Sequence, residues 1–220
     1  MKLNIRKLWF GGVIVGLAIA AGSLLLFGWL AEEVFEGETR SFDETVRNFI
    51  HGFSTPVLTG LMRFFSFLGS PLFLVILGLV LLAALLYLRL KRYAVLFLIV
   101  MGGELVLDLA LKPYFGRVRP EPFFGYTLPA SYGFPSGHAF GSLCFYGILA
   151  WIAAERLATM RAKFAVAACA IVLILCIGVS RIYLGVHYPS DVLAGYSVGL
   201  FWIGVVIFGD RYRGSKSTGR

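Results

Sequence analysis

The chain has 220 residues, 59% of them hydrophobic and only 15% charged, with a mean hydropathy of +0.83. A soluble domain carries about 25% charged residues, so a water-soluble fold is excluded and an integral membrane protein is expected. The net charge of +8 lies mostly in short segments between apolar runs, as topology signals do, and gives no reason to expect a nucleic-acid partner.

The first apolar run, 8–30, follows Lys2, Arg6 and Lys7. Its length exceeds the roughly 7–15 residues of a secretory apolar core, so it reads as a retained membrane anchor. Residues 31–66 are acidic, with Glu32, Glu33, Glu36, Glu38, Asp43 and Glu44. Within them, 54–68 is apolar but short and carries Arg63, and Gly69-Ser70-Pro71 then breaks the pattern. One helix over 56–90 would measure about 52 Å at 1.5 Å per residue, well beyond the roughly 30 Å hydrocarbon core. The stretch is therefore split. Residues 54–68 are expected as a short external helix in the interface, and a span over 71–88 begins at Pro71, which suits a first helical turn. Further spans are expected over 93–111, 138–155, 163–180 and 190–209. The fold class is thus an all-α membrane protein of six transmembrane helices in one domain, 1–220, with 211–220 as a polar flexible tail. Cys144, Cys169 and Cys176 fall inside spans and read as small core residues rather than a disulfide framework.

Charge orients the bundle. With six spans, the N-terminus, the turns at 89–92 and 156–163 and the tail share one side, which carries thirteen Lys and Arg against Glu155 and Asp210. That side is expected to be cytoplasmic. Segments 112–137 and 181–189 then fall on the other side, yet they are basic, with Lys112, Arg117, Arg119 and Arg181. Topology does not account for those charges.

Their chemistry suits a phosphate. Arg offers a planar fork to phosphate oxygens and Lys a compact charge. Ser136 and Gly137 precede the fourth span, and a helix N-terminus favours an anion. Gly137 permits close approach because it has no Cβ, and Ser136 can cap the helix or donate to a phosphate oxygen. His138 and His187 supply proton transfer or nucleophilic attack near neutral pH. Asp191, four residues after His187, can hold an imidazole N–H and set its tautomer.

Lys112 is followed after six residues by Arg119-Pro120. Pro135-Ser136-Gly137-His138 comes next, then Ser180-Arg181, followed after five residues by His187 and after three more by Asp191. This arrangement resembles the tripartite signature of the type 2 phosphatidic acid phosphatases, the lipid phosphate phosphatases related to vanadium haloperoxidases. The match is complete at every signature position. The resemblance implies that His187 forms a phosphohistidine, that Asp191 orients it, and that His138 protonates the leaving oxygen and then activates water. It implies that Lys112, Arg119, Ser136, Gly137 and Arg181 hold the phosphate, with no metal and no cofactor. The expected substrate is a membrane lipid phosphomonoester or diphosphate such as undecaprenyl diphosphate, phosphatidylglycerophosphate or phosphatidate. The expected location is a bacterial inner membrane, with both termini cytoplasmic and the site on the external face. A lipid phosphotransferase and a non-catalytic anion or lipid transporter remain as alternatives, and nothing in the sequence speaks to oligomeric state.

Outside the signature, Asp108 is placed to pair with Lys112 one helical turn on, and Glu104 has no obvious partner. Arg117 reads as a surface charge. Phe123, Phe124, Tyr126 and Tyr132 read as an interfacial aromatic belt.

Overall fold

The computed structural model describes the backbone of residues 5–217 and the side chains of 15–213. Among these residues it is all-helical: α1 (Ile5–Glu36), α2 (Arg40–His51), α3 (Pro56–Leu68), α4 (Pro71–Tyr87), α5 (Lys91–Phe115), α6 (Gly137–Arg156), α7 (Met160–Tyr183) and α8 (Pro189–Ser217). Five helices, α1 and α5 to α8, are long and apolar enough to cross a bilayer. The pair α3 and α4, bent by 50° at their junction, passes the same test only when taken together, as a broken span or a re-entrant loop.

That bend follows from the local sequence. The Thr55 hydroxyl accepts from Leu58 N at 3.2 Å and the Ser70 hydroxyl from Phe73 N at 3.4 Å, so each helix has its own cap and its own first-turn proline. Between them Gly69 lies against α7, where a Cβ would collide with Ile177. Tyr146 of α6 donates to the Leu68 carbonyl at 2.9 Å, satisfying one of the free acceptors at the end of α3.

Several boundaries differ from the sequence reading. Helix α1 continues to Glu36 and takes in Glu32 and Glu33, because Glu is a good helix former. Helix α5 continues to Phe115 and closes on Gly116, whose φ of 58° suits only a residue tolerant of the left-handed region. The stretch 211–217 is helical rather than a flexible tail. Arg and Lys propagate a helix well, and Arg92 fixes α8 at Asp210 through a two-pronged contact, one prong 3.0 Å long. Lys2 and residues 218–220 lie outside the described residues, as do the side chains of Arg6, Lys7 and Lys216.

Helix α6 is the inner one. Of its most apolar stretch 56% is buried, against 44% for α8 and about a fifth for α1, α5 and α7. Small residues Gly141, Ser142 and Cys144 let its neighbours approach. Phe145 meets Phe97 of α5 edge-on at 5.6 Å. Polar ends are tied across the bundle: Trp202 Nε1 donates to Val100 O at 2.9 Å and Tyr196 Oη to Ile174 O at 2.6 Å. At one end, Arg92 joins the start of α5 to Glu155 of α6 (3.2 Å) and Asp210 of α8. The segments 116–136 and 184–188 lie at the opposite end of the same helices.

Candidate active site

The starts of α6 and α8 are stitched together by one backbone bond, Ser136 N to Asp191 O at 2.9 Å. Ser136 is the N-cap residue of α6 and is fully buried, but its hydroxyl makes no capping bond and has no partner. The sequence reading allowed the hydroxyl either role, and the geometry leaves it free to donate. Beside it, a Cβ on Gly137 would stand 2.9 Å from Lys112 Nζ and 3.0 Å from Asp108 Oδ1. The missing side chain is what lets Lys112 reach across the helix start. Lys112 is held there by Asp108 Oδ2 at 2.6 Å, as their spacing on α5 predicts.

His187 is carried by a tight reversal after α7. Gly185 has a φ of 73°, and Val186 N returns to Arg181 O at 3.1 Å. The His187 ring is 1% exposed. Its Nδ1 lies 3.3 Å from Asp191 Oδ2 and its Nε2 lies 2.6 Å from Arg119 Nη1. Arginine can only donate. Nε2 must therefore present its lone pair, and the ring proton sits on Nδ1, facing Asp191. This is the tautomer a nucleophilic Nε2 requires. Burial first, and then the charges of Arg119, Arg181 and Lys112, hold the imidazole well below its ordinary pKa.

Arg119 commits all five of its N–H groups to protein. Nε and Nη2 donate to Ser131 O (2.8 Å), Ser131 Oγ (3.1 Å) and Tyr132 O (3.1 Å), and Nη1 to Val186 O (3.1 Å) and His187 Nε2. Arg181, 2% exposed, donates to Ser66 Oγ of α3 and lies 5.8 Å from the Tyr126 ring, while its Nε has no partner. His138, in the first turn of α6, stands in the field of Arg181, His187, Arg119 and Lys112. All eight signature residues thus converge at one end of the bundle. Among the described residues, no three His, Cys, Asp or Glu side chains gather as a metal site would require.

Residues without a motif complete the arrangement. Arg117 is not a surface charge. Its Nη1 donates to Asp191 Oδ1 at 2.6 Å and Ser190 Oγ at 2.7 Å, and its Nη2 to Asp43 Oδ2 at 2.7 Å and Thr39 Oγ1 at 3.0 Å. Burial opposes that charge, but Asp191 and Asp43 outweigh it and hold the guanidinium above its ordinary pKa. Ser66 anchors Arg181 in the same indirect way. The aromatic residues also differ from expectation. Phe123 stacks on His51 at 3.7 Å and beneath Arg47 at 4.1 Å, and Phe124 stacks on Tyr183 at 5.5 Å. These two, with Tyr126, wedge the 116–136 segment onto α2 and α7, and of the four Tyr132 at 47% and Phe124 at 38% are the ones exposed enough to serve as belt residues.

Comparison with known proteins agrees with this architecture. The family described as the PAP2 superfamily matches residues 93–214. Phosphatidylglycerophosphatase B of Bacillus subtilis is 33% identical over 177 residues, covering 80% of this chain and 87% of that protein. Lipid A 1-phosphatase of Rhizobium johnstonii is 36% identical over 118 residues, covering 50% of this chain and 44% of that protein. The crystal structure of a transmembrane PAP2-type phosphatidylglycerolphosphate phosphatase from Bacillus subtilis superposes with a TM-score of 0.81 at 31% identity, over 88% of this chain and 96% of that one. Aquifex aeolicus LpxE shares the fold, with a TM-score of 0.57 at 23% identity.

Proposed function

The chain belongs to the PAP2 superfamily, and on that basis we propose that it hydrolyses phosphatidylglycerophosphate through a phosphohistidine on His187. It is a multi-pass membrane enzyme that cleaves phosphoester bonds of membrane lipids, so the transporter alternative gives way. The likeness to phosphatidylglycerophosphatase B over most of both chains favours that lipid over undecaprenyl diphosphate or phosphatidate.

The observation that carries the mechanism is the pair of contacts that orient the His187 ring. Arg119 marks where the nucleophile's lone pair points, and Asp191 takes the opposite N–H. A phosphate at that lone pair is within reach of Lys112, Arg119, Arg181, the free Ser136 hydroxyl and the N–H groups opening α6. His187 Nε2 attacks phosphorus, the bond from phosphorus to the lipid oxygen breaks, and His138 gives that oxygen a proton. The fixed cations and N–H groups meet the charge that grows on the equatorial oxygens. His138 then takes a proton from water, the hydroxide attacks phosphorus, and the P–N bond breaks to release inorganic phosphate. The positive-inside rule places this chemistry on the non-cytoplasmic face of a bacterial inner membrane, with both termini cytoplasmic.

The test is phosphate release by the detergent-purified chain with EDTA present, from phosphatidylglycerophosphate, undecaprenyl diphosphate and phosphatidate in parallel. Fastest release from the first, abolished in His187→Ala, is expected. Turnover that survives in His187→Ala would sink the mechanism, and a faster rate on another lipid would reassign the substrate. Phosphorylated product appearing on an added acceptor lipid, in place of free phosphate, would turn the reading to phosphotransfer.

A further inference from the structure

The Asp43 and Arg117 pair does not touch the place where phosphate would sit. It stands behind Asp191, on the side away from His187. Asp191 is fully buried and divides its oxygens: Oδ2 faces His187 Nδ1 and accepts Tyr188 N at 2.9 Å, while Oδ1 takes Arg117 Nη1. The other half of the Arg117 fork is fixed by Asp43, which reaches in from α2 and is also fully buried. Asp43 holds the start of α8 as well, accepting Ser190 N at 2.9 Å and Ser190 Oγ at 2.7 Å. The Tyr188 ring covers the Arg117 guanidinium at 4.6 Å.

The charges run in alternating order: Asp43 negative, Arg117 positive, Asp191 negative, then the ring that becomes a cation when phosphorylated. The other ionisable groups facing His187 are Arg119, Arg181 of α7, Lys112 of α5 and His138 of α6. All of these are cationic or can become so. Among the described residues Asp191 is therefore the one carboxylate in contact with the ring, and whatever sets its direction and strength sets the nucleophile. A carboxylate bound by a guanidinium is a weaker base than a free one, and a second carboxylate on that guanidinium restores part of the loss.

We propose that Arg117 and Asp43 are positioning residues for the reaction, aligning Asp191 on His187 and setting the strength with which it holds the imidazole. This rests on the assignment of His187 as nucleophile. The reading predicts opposite electrostatic effects from two residues that touch each other. Arg117→Gln removes the cation behind Asp191, so Asp191 holds a proton on His187 more strongly and the acid limb of the activity profile moves up. Asp43→Asn leaves Arg117 to Asp191 alone, so the limb moves down. A role confined to folding would move neither in this paired way.

The experiment measures kcat and KM for phosphatidylglycerophosphate hydrolysis across the acidic to neutral range, in detergent with EDTA, for the full chain and its variants. Arg117→Gln is expected to raise the acid limb by about one pH unit, and Asp43→Asn to lower it by about half a unit. Both should lower kcat by about 10- to 100-fold with KM changed less than about twofold, since neither residue meets substrate. Asp43→Glu should recover part of kcat. Limbs that do not move, or that move together, would overturn the proposal, as would a loss carried wholly by KM. Should Arg117→Gln fail to fold, Asp43→Asn and Thr39→Val decide. Thr39→Val removes only an uncharged acceptor from Arg117 Nη2 and should lower kcat without moving the limb. His187→Ala separates the two readings. An inactive His187→Ala with unmoved limbs defeats only the positioning role, whereas an active one defeats the nucleophile assignment and this proposal with it.

Discussion

Gly195→Ala tests how closely α6 and α8 must meet for the site to form. A Cβ at Gly195 would stand 2.7 Å from Ser136 O, 3.0 Å from Ala139 Cβ and 3.2 Å from Phe140 N. Two of those three atoms are backbone, so no side chain can swing away to relieve the contact. Ordinary contact begins at 3.4 Å, which requires the start of α6 to retreat by about 0.7 Å. The retreat strains the Ser136 N to Asp191 O bond and carries Ser136 and His138 away from His187. Displacements of this order cost about 10- to 100-fold in rate. Stability should suffer much less. Replacing a mid-helix glycine by alanine gains about 1 kcal/mol, and overpacking costs about 1–3 kcal/mol, leaving a net loss of about 0–2 kcal/mol. The assay pairs phosphate release with thermal unfolding in the same detergent. Gly209→Ala, on the same helix with nothing within 4 Å, serves as control and should keep full activity with equal or higher Tm. Full activity in Gly195→Ala at unchanged Tm would refute the claim that backbone contact between these helices builds the site.

Four further outcomes are expected. Because the His187 pKa is lowered, the ring stays neutral below the ordinary histidine value of about 6.5. In a pH titration kcat/KM should therefore hold through that value and fall only at lower pH. By the same sign, stability should decline as pH drops from about 6.5 towards the folded-state pKa, since the unfolded chain takes up the proton first; pH-dependent Tm checks this. Ser66→Ala removes the α3 hydroxyl that accepts from Arg181 and should weaken phosphate binding, raising KM several-fold with a smaller fall in kcat. Arg92→Ala cuts the bridges at the far end of the bundle. Its side chain is 51% exposed, so the loss should be modest, about 0.5–2 kcal/mol for the two bridges together, with kcat unchanged in a steady-state assay.

The spans and the signature residues were legible because each rests on local information. Apolar length marks a crossing helix, and Ser136, Gly137, His187 and Asp191 belong to short patterns with their own chemistry. What supports them was not legible. Asp43 meets Ser190 across 147 positions of chain and Ser66 meets Arg181 across 115, and no spacing announces such a pair. Helix α2 escaped for a different reason. Its inward face carries Asp43 and Arg47, while Phe42 and Phe49 are 48% and 67% exposed. The usual rule, apolar side inward, is inverted, so its carboxylates read as topology charges. Arg117 read as a surface charge for the same reason: a second arginine beside a motif has no visible partner until the fold brings two carboxylates to it.

The Arg119 contact with His187 also bears on inhibition and turnover. On the proposed mechanism, a phosphate that meets His187 Nε2 takes over the Arg119 Nη1 donor and gives up the Arg119–His187 contact, so part of its intrinsic affinity is lost in the exchange. A pentavalent phosphorus, with more charge on its equatorial oxygens, gains more from the same guanidinium. The exchange would thus discriminate between substrate and transition state.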